Sequence, residues 1–379
     1  MEKIAIVGVA QTKYEKQKRG ETFYDMVYQV TSAALQDAGY TLDDVDNVIT
    51  VSNDFFDGRT ISCMAVQEAA GAHDKNVSTV EGDGTFGAFY GAMRVLSGFN
   101  TTLVVAHSKG SEGDSRVITN AMFDPIYHRP LGLEAVSAAA LQANAYMTRY
   151  GVSEEQCALV SVKNHGNARH NPYAHLPMDL TLDDVMQSRM VADPLKLLDC
   201  SPVSDGAAAV IIANETYAHK AKTQPVWIKG IAHCSDAYFL GDRDLADPRA
   251  LRDAARRAYA MAGITRPHDE IDVVELYDAF SYMEPLWLEG LGLCEPGHGA
   301  RMAEKGLTAL DGPLPVNPSG GVLSAHAVLT AGLARIIEAA LQIRGEAGGR
   351  QVDGVKTALA HGINGPCGQS HCVWVLGKE

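Results

Sequence analysis

Apolar positions along the chain fall into two rhythms that take turns. Ile4-Ala-Ile-Val-Gly-Val9 is a short apolar run ending in turn chemistry, which predicts a buried strand. Phe23, Met26, Val27, Val30, Ala33, Ala34, Leu35 and Ala38 recur at helical spacing, and Gly39 stops that helix. Val45, Val48, Ile49 and Val51 mark a second strand. After residue 225 the order returns. A strand is predicted at Val226–Ile231, a helix at 249–262 stopped by Gly263, and a strand at Ile271–Leu276.

The two passages also agree in detail. Asp37-Ala-Gly39-Tyr-Thr41 before Val45-Asp-Asn-Val48 resembles Met261-Ala-Gly263-Ile-Thr265 before Ile271-Asp-Val-Val274. A duplicated unit is the economical reading. Further along, Val77–Val80 runs through Gly82-Asp-Gly84-Thr85 into a helix at 86–97, and Leu314–Val316 runs through Gly320-Gly321 into a helix at 328–343. Strands at Thr102–Ala106 and Ala207–Ala213 close the first half; strands at Lys356–Ala360 and His371–Leu376 close the second. The first pair is far apart in sequence, so 107–205 reads as an insertion forming a lid or binding wall. The expected organisation is residues 1–106 with 206–224 as one half, 107–205 as an inserted loop domain, and 225–379 as the other half. Two such halves would stack as an α/β body of five layers, αβαβα, with the helices near Gly84 and Val328 buried between two sheets.

Composition narrows the class. The 379 residues are 46% hydrophobic and 21% charged, which excludes disorder as the main state. Thirty-two basic against 46 acidic residues give a net charge of −14, which argues against a nucleic-acid or anionic membrane surface. An anionic ligand would need local positive charge or helix N-termini. Lys13, Lys16, Lys18 and Arg19 form the densest basic run and read as a solvated loop. The seven cysteines are scattered without CxxC, so neither a disulfide framework nor a zinc site is expected, and no metal is assigned to this chain. No apolar stretch reaches membrane-spanning length and no signal peptide is evident; a cytoplasmic location is expected.

Four clusters carry candidate chemistry: Gly82-Asp-Gly84-Thr85, Tyr277-Asp278-Ala-Phe280, Ser319 to His326, and His361-Gly-Ile-Asn364-Gly365-Pro-Cys367-Gly368. All four fall at strand ends expected to lie on one side of the sheets. The motifs Leu198-Asp-Cys-Ser-Pro-Val-Ser-Asp205-Gly-Ala-Ala, Glu275-Leu-Tyr277-Asp278-Ala-Phe280 and Val316-Asn317-Pro-Ser-Gly-Gly321 followed by His326 resemble those of the thiolases, of the sterol-carrier type and its bacterial and archaeal relatives. The resemblance spans essentially the whole chain. It implies a coenzyme A thioester as substrate, a homodimer, catalytic roles for Tyr277 and His326, supporting roles for Asp278 and Asn317, and the nucleophile position or oxyanion-binding backbone at Gly84 and Gly365.

The departures decide the expected reaction. The resemblance places Gly84 where thiolases carry the cysteine that becomes acylated, and Gly362 where they carry a second one. Thiolysis needs a thiolate nucleophile, and glycine has none. Tyr277 and His326 remain as acid/base candidates. Thiolase-like proteins lacking the cysteine and carrying Tyr-Asp resemble aldolases that work with a small zinc-ribbon/OB-fold partner. The leading expectation is a cysteine-independent retro-aldolase on a β-hydroxyacyl-CoA. The alternatives are a β-ketoacyl-CoA thiolase or acyltransferase, with a cysteine at 84 replaced or with Cys367 as nucleophile, and a non-catalytic subunit of a complex.

Overall fold

The computed structural model describes residues 3–379. Its strands are β1 (Ile4–Gln11), β2 (Asn47–Val51), β3 (Asn76–Val80), β4 (Thr101–Lys109), a small hairpin of β5 (Met190–Ala192) and β6 (Leu195–Lys196), then β7 (Asp205–Asn214), β8 (Val226–Ser235), β9 (Val273–Glu275), β10 (Thr357–Asn364) and β11 (Ser370–Gly377). All but the hairpin hydrogen-bond in the order β3-β2-β4-β7-β1-β8-β11-β10-β9.

That order is a mirrored repeat. From the outer edge inward, β3, β2, β4, β7 and β1 correspond to the Val316 segment, β9, β10, β11 and β8. Val316 joins β9 by a parallel bridge to Val274. Parallel and antiparallel pairs match as well. β2 is parallel to β4 as β9 is to β10, and β4–β7 and β10–β11 are both antiparallel. The two halves meet along a short seam, Ala5 opposite Trp227 and Ile6 opposite Val226.

The side chains divide into layers. The helix Phe23–Ala38 lays Met26, Val27, Val30 and Ala34 on one face of the first half, against Val7, Leu103, Val105 and Ala209. The other face, with Val104, Val210 and Ile212, packs on two central helices, Gly84–Leu96 and Ala331–Arg344. Those helices also cover Ala358, Ala360, Trp374 and Leu376 of the second half. The far face of the second half, with Val274, Leu359, Val373 and Val375, packs on Leu251, Ala254, Ala255 and Ala258 of the helix Arg249–Ala262. The result is the five-layer αβαβα body. Each fully buried Leu, Ile or Val in it contributes about 1.5–3 kcal/mol. Close approach depends on missing side chains: a Cβ at Gly87 would lie 2.3 Å from Val51 Cγ2, and one at Gly91 would lie 2.7 Å from Val104 Cγ2.

Residues 110–204 connect the adjacent strands β4 and β7 and cover the site. Their long helices are Ala135–Tyr150 and Glu154–Ala168. Ala139, Ala143 and Tyr146 of the first join the core formed by Leu286 and Trp287.

Three local expectations differ from the structure. No strand forms over Leu314–Val316 beyond the single bridge, because Pro313 and Pro315 have no N–H for a ladder. The helix expected from Val328 starts at Ala331, after a separate turn at Gly321–Ser324. The turn and the backbone after it are held from outside: Asp278 accepts from Val322 N–H at 2.6 Å and Ser204 Oγ from His326 N–H at 3.1 Å. Lys18 is not solvated but buried, ion-paired with Glu21 at 3.2 Å. Among the described residues no helix is long and apolar enough to cross a membrane.

Candidate active site

Chain segments that are distant in sequence, including parts of the inserted 110–204 region, line one cavity of about 520 Å³. Gly82 and Asp83 come from the start of the first central helix, Tyr277, Ala279 and Phe280 from the segment after β9, His326 from the break before the second central helix, and Asn364 to Cys367 from the β10–β11 hairpin. Cys200 and Ser201, just before β7, complete the wall nearest His326. The volume is within the range of small-molecule sites.

The centre is a hydrogen-bonded row. Tyr277 Oη lies 2.7 Å from His326 Nε2, and His326 Nδ1 lies 2.8 Å from Ser201 Oγ. The two rings meet edge to face, at 89°. The imidazole is half-buried on the cavity wall, and desolvation pushes its pKa down to about 4. Burial, with the nearby carboxylates of Asp83 and Asp278, holds the Tyr277 phenol well above its ordinary value. At neutral pH both groups are therefore uncharged. The row can exist with Tyr277 donating to Nε2 and Nδ1–H donating to Ser201, or with every donor reversed.

The backbone at both ends is pinned. Trp287 Nε1 donates to Tyr277 O at 2.9 Å, and Tyr277 N–H points at His361 Nδ1 at 3.5 Å. His361 Nε2 in turn pairs with His371 Nδ1 at 3.0 Å, and burial keeps both imidazoles neutral. Ser204 exchanges two bonds with the backbone of His326, and its hydroxyl pairs with His175 Nδ1 at 2.9 Å. Asp278 is not on the cavity wall. Its carboxyl bonds Val322 N and Asn164 Nδ2, at 2.6 and 2.7 Å, and so shapes the turn that presents His326. Burial, then the neighbouring Glu284, raises its pKa to about 8. Asn317 is likewise a support: its Oδ1 accepts from Leu276 N–H at 2.8 Å, one residue before Tyr277.

Gly84 does not have the place expected of it. It is not on the cavity wall, and its N–H donates to Leu329 O at 2.9 Å, so it is not free for an oxyanion. A Cβ at 84 would stand 2.5 Å from Leu333 Cβ, so this position has no room for a side chain. Position 362 is similar. A Cβ there would lie 2.2 Å from Thr85 Oγ1 and 2.5 Å from Asp83 Oδ1. The Asp83–Thr85 pair, bonded at 2.5 Å, fills that space. Asp83 caps the first central helix through Thr85 N–H and reaches Gly332 N–H at 2.8 Å; its burial raises it to about 6. Gly365 does line the cavity, in a left-handed turn at φ 77°.

Two cavity thiols remain. Burial pushes both Cys367 and Cys200 up to about 12, so neither supplies thiolate at neutral pH. The Cys367 carbonyl is held by Gln142 Nε2 at 3.2 Å, and that of Pro366 by Arg243 at 3.0 Å, which fixes the hairpin tip.

Comparison with known proteins agrees with this architecture. Residues 126–216 match the thiolase N-terminal domain and residues 232–378 the thiolase C-terminal domain-like family. An acetyl-CoA acetyltransferase of Methanothermobacter thermautotrophicus is 38% identical over 97% of this chain and 98% of its own. The chain belongs to the thiolase superfamily. Human sterol carrier protein 2 is 32% identical over 96% of this chain and 70% of its own. Among solved structures, an Ltp2-ChsH2(DUF35) aldolase superposes with a TM-score of 0.86 at 26% identity, covering 99% of this chain and 98% of its own. As a thiolase-superfamily protein the chain is an acyl-CoA-acting enzyme of the acyltransferase or lyase type. Asp83, Ser201 and Ser204 stand in motifs singled out from the sequence, but the motifs gave them no role as cavity or relay residues.

Proposed function

We propose that this thiolase-superfamily enzyme is a cysteine-independent retro-aldolase, cleaving a β-hydroxyacyl-CoA into an aldehyde or ketone and a shorter acyl-CoA. The observation that carries this reading is the uncharged Tyr277–His326–Ser201 row, in a cavity whose thiols are both held protonated. In a retro-aldol step the β-hydroxyl gives up its proton and its oxygen becomes the carbonyl oxygen. The Cα–Cβ electron pair moves to Cα and forms the thioester enolate, and a proton then returns to Cα. One proton leaves and one is delivered, with no net uptake. A neutral row that accepts at one end and donates at the other suits that exchange. Acyl transfer instead needs a thiolate to accept the acyl group.

The likeness to the Ltp2-ChsH2(DUF35) aldolase supports the same reading. It also supports a second component: a small zinc-ribbon/OB-fold partner that helps present the acyl-CoA. A homodimer fits the exposed edge of the sheet, where β3 has one side unpaired. The inserted segment 107–205 would act as the wall that holds the thioester arm.

Intact-protein mass spectrometry tests the choice between chemistries. After incubation with acyl-CoA or β-ketoacyl-CoA, an aldolase of this kind keeps its unmodified mass. A stable increment equal to the acyl group would establish an acyl-enzyme and reverse the reading.

A further inference from the structure

With Gly84 N–H bonded to Leu329 O, the thioester oxygen needs another donor. Among the described side chains around the relay, Tyr277, His326 and Ser201 are bonded to one another and the Asp83 carboxyl accepts from Thr85 and Gly332. Asn364 is different. Its carboxamide lines the same cavity and, among the described residues, makes no hydrogen bond. Asn364 is half-buried on the cavity wall, so its amide is open to a ligand entering the cavity.

The amide is also seated by the fold. Asn364 is the last residue of β10, paired with Ser370 across the hairpin, and Gly365 turns the chain immediately after it. Its side chain lies flat against Gly82. A Cβ at Gly82 would stand 2.7 Å from Asn364 Nδ2 and 2.8 Å from its Cγ, and Gly82 has φ 124°, which side-chain-bearing residues rarely adopt. Only glycine at 82 leaves this place for the amide. Gly82 and Asp83 form the adjoining wall, and Tyr277 and His326 line the same cavity.

We propose that Asn364 is a catalytic residue whose amide N–H donates to the thioester carbonyl oxygen and holds it more strongly as it becomes the enolate oxygen. This rests on the acyl-CoA retro-aldol reading for its catalytic part. A fixed donor aimed at developing negative charge in a low-dielectric site is worth about 10²–10³ in rate. No bond is made or broken at Asn364.

The test compares two ligands that differ only at the carbonyl: acetyl-CoA and S-ethyl-CoA, a thioether without that oxygen. Binding of each is measured to the full chain and to Asn364→Ala and Asn364→Asp; the second keeps the shape if the first fails to fold. The expected result is about tenfold weaker binding of acetyl-CoA by both variants, one hydrogen bond's worth, with S-ethyl-CoA changed little in Asn364→Ala. Equal changes for both ligands, no change for either, or no binding of acetyl-CoA by the unmodified protein would overturn the proposal. Turnover of a β-hydroxyacyl-CoA is measured in parallel. If the unmodified protein does not cleave it while the ligand difference holds, the aldolase reading fails and Asn364 stands as the carbonyl-binding group.

Discussion

Tyr277 Oη and His326 Nε2 are 2.7 Å apart, and each belongs to a segment whose backbone is pinned by a different set of partners. Trp287 and His361 hold Tyr277, whereas Ser204 and the Asp278-shaped turn hold His326. The pair is therefore positioned before substrate arrives. Replacing Tyr277 with Phe keeps the ring in its pocket and removes only the hydroxyl. Steady-state kinetics should show kcat lower by about 10²–10⁴ with the fold intact. The unpaired Nε2 should lower stability by about 1–3 kcal/mol in denaturant melts. Unchanged kcat would remove Tyr277 from the mechanism.

The depressed pKa of His326 sets a pH signature. An ordinary imidazole is half protonated near about 6.5. Burial moves this one to about 4, so it stays neutral through pH 5. The acid limb of kcat/KM should therefore have its midpoint near 4. A midpoint at 6 or above would place the limb on another group, with Asp83, raised to about 6, the first candidate. The sign for stability follows from the same shift. Between about 6.5 and 4 the unfolded chain binds this proton and the folded chain does not, so the His326 contribution to stability is lost as pH falls. His326→Gln should flatten that part of the stability profile.

Positions 84 and 362 bear on the thiolase alternative. A cysteine at 84 would collide with Leu333, and one at 362 with Asp83 and Thr85. Gly84→Cys and Gly362→Cys should each lower stability by about 1–3 kcal/mol, the usual cost of overpacking, without thiolase activity appearing. Thermal melts and a CoA-dependent cleavage assay measure both. A Gly84→Cys protein that melts normally and forms an acyl-enzyme would contradict the packing seen here.

The two cavity thiols offer a simpler check. Cys367→Ala and Cys200→Ala should each keep kcat within a few-fold, about 1 kcal/mol in the barrier. Loss of turnover in Cys367→Ala, with the hairpin still folded, would revive that thiol as a nucleophile.

The duplicated framework was legible because it is written in local pattern. The match of Asp37–Val48 with Met261–Val274 fixes two strand–helix–strand units, and the mirrored strand order follows from them. The seam between β1 and β8 was not legible, since two residue pairs of backbone contact leave no side-chain pattern. The site divides in the same way. Tyr277 and His326 stand in motifs, and the structure brings them to one hydrogen bond. Gly84 also stands in a motif, but the space for a side chain there is taken by Leu333, from the other half of the chain. Ser201, Asp83 and Asn364 gain their roles only through such long-range neighbours: His326, Gly332 and Gly82. Lys18 shows the limit of reading charge runs, because its stem is buried while its ammonium pairs with the more exposed Glu15 and Glu21.

The most direct test of the central claim is cleavage of a β-hydroxyacyl-CoA with no free CoA present, using the chain alone and together with a co-expressed small zinc-ribbon protein. Equal amounts of carbonyl product and shortened acyl-CoA, with the reaction stopped by Tyr277→Phe, are the result expected of a cysteine-independent aldolase. Strict dependence on added CoA, or no turnover under either condition, would contradict it.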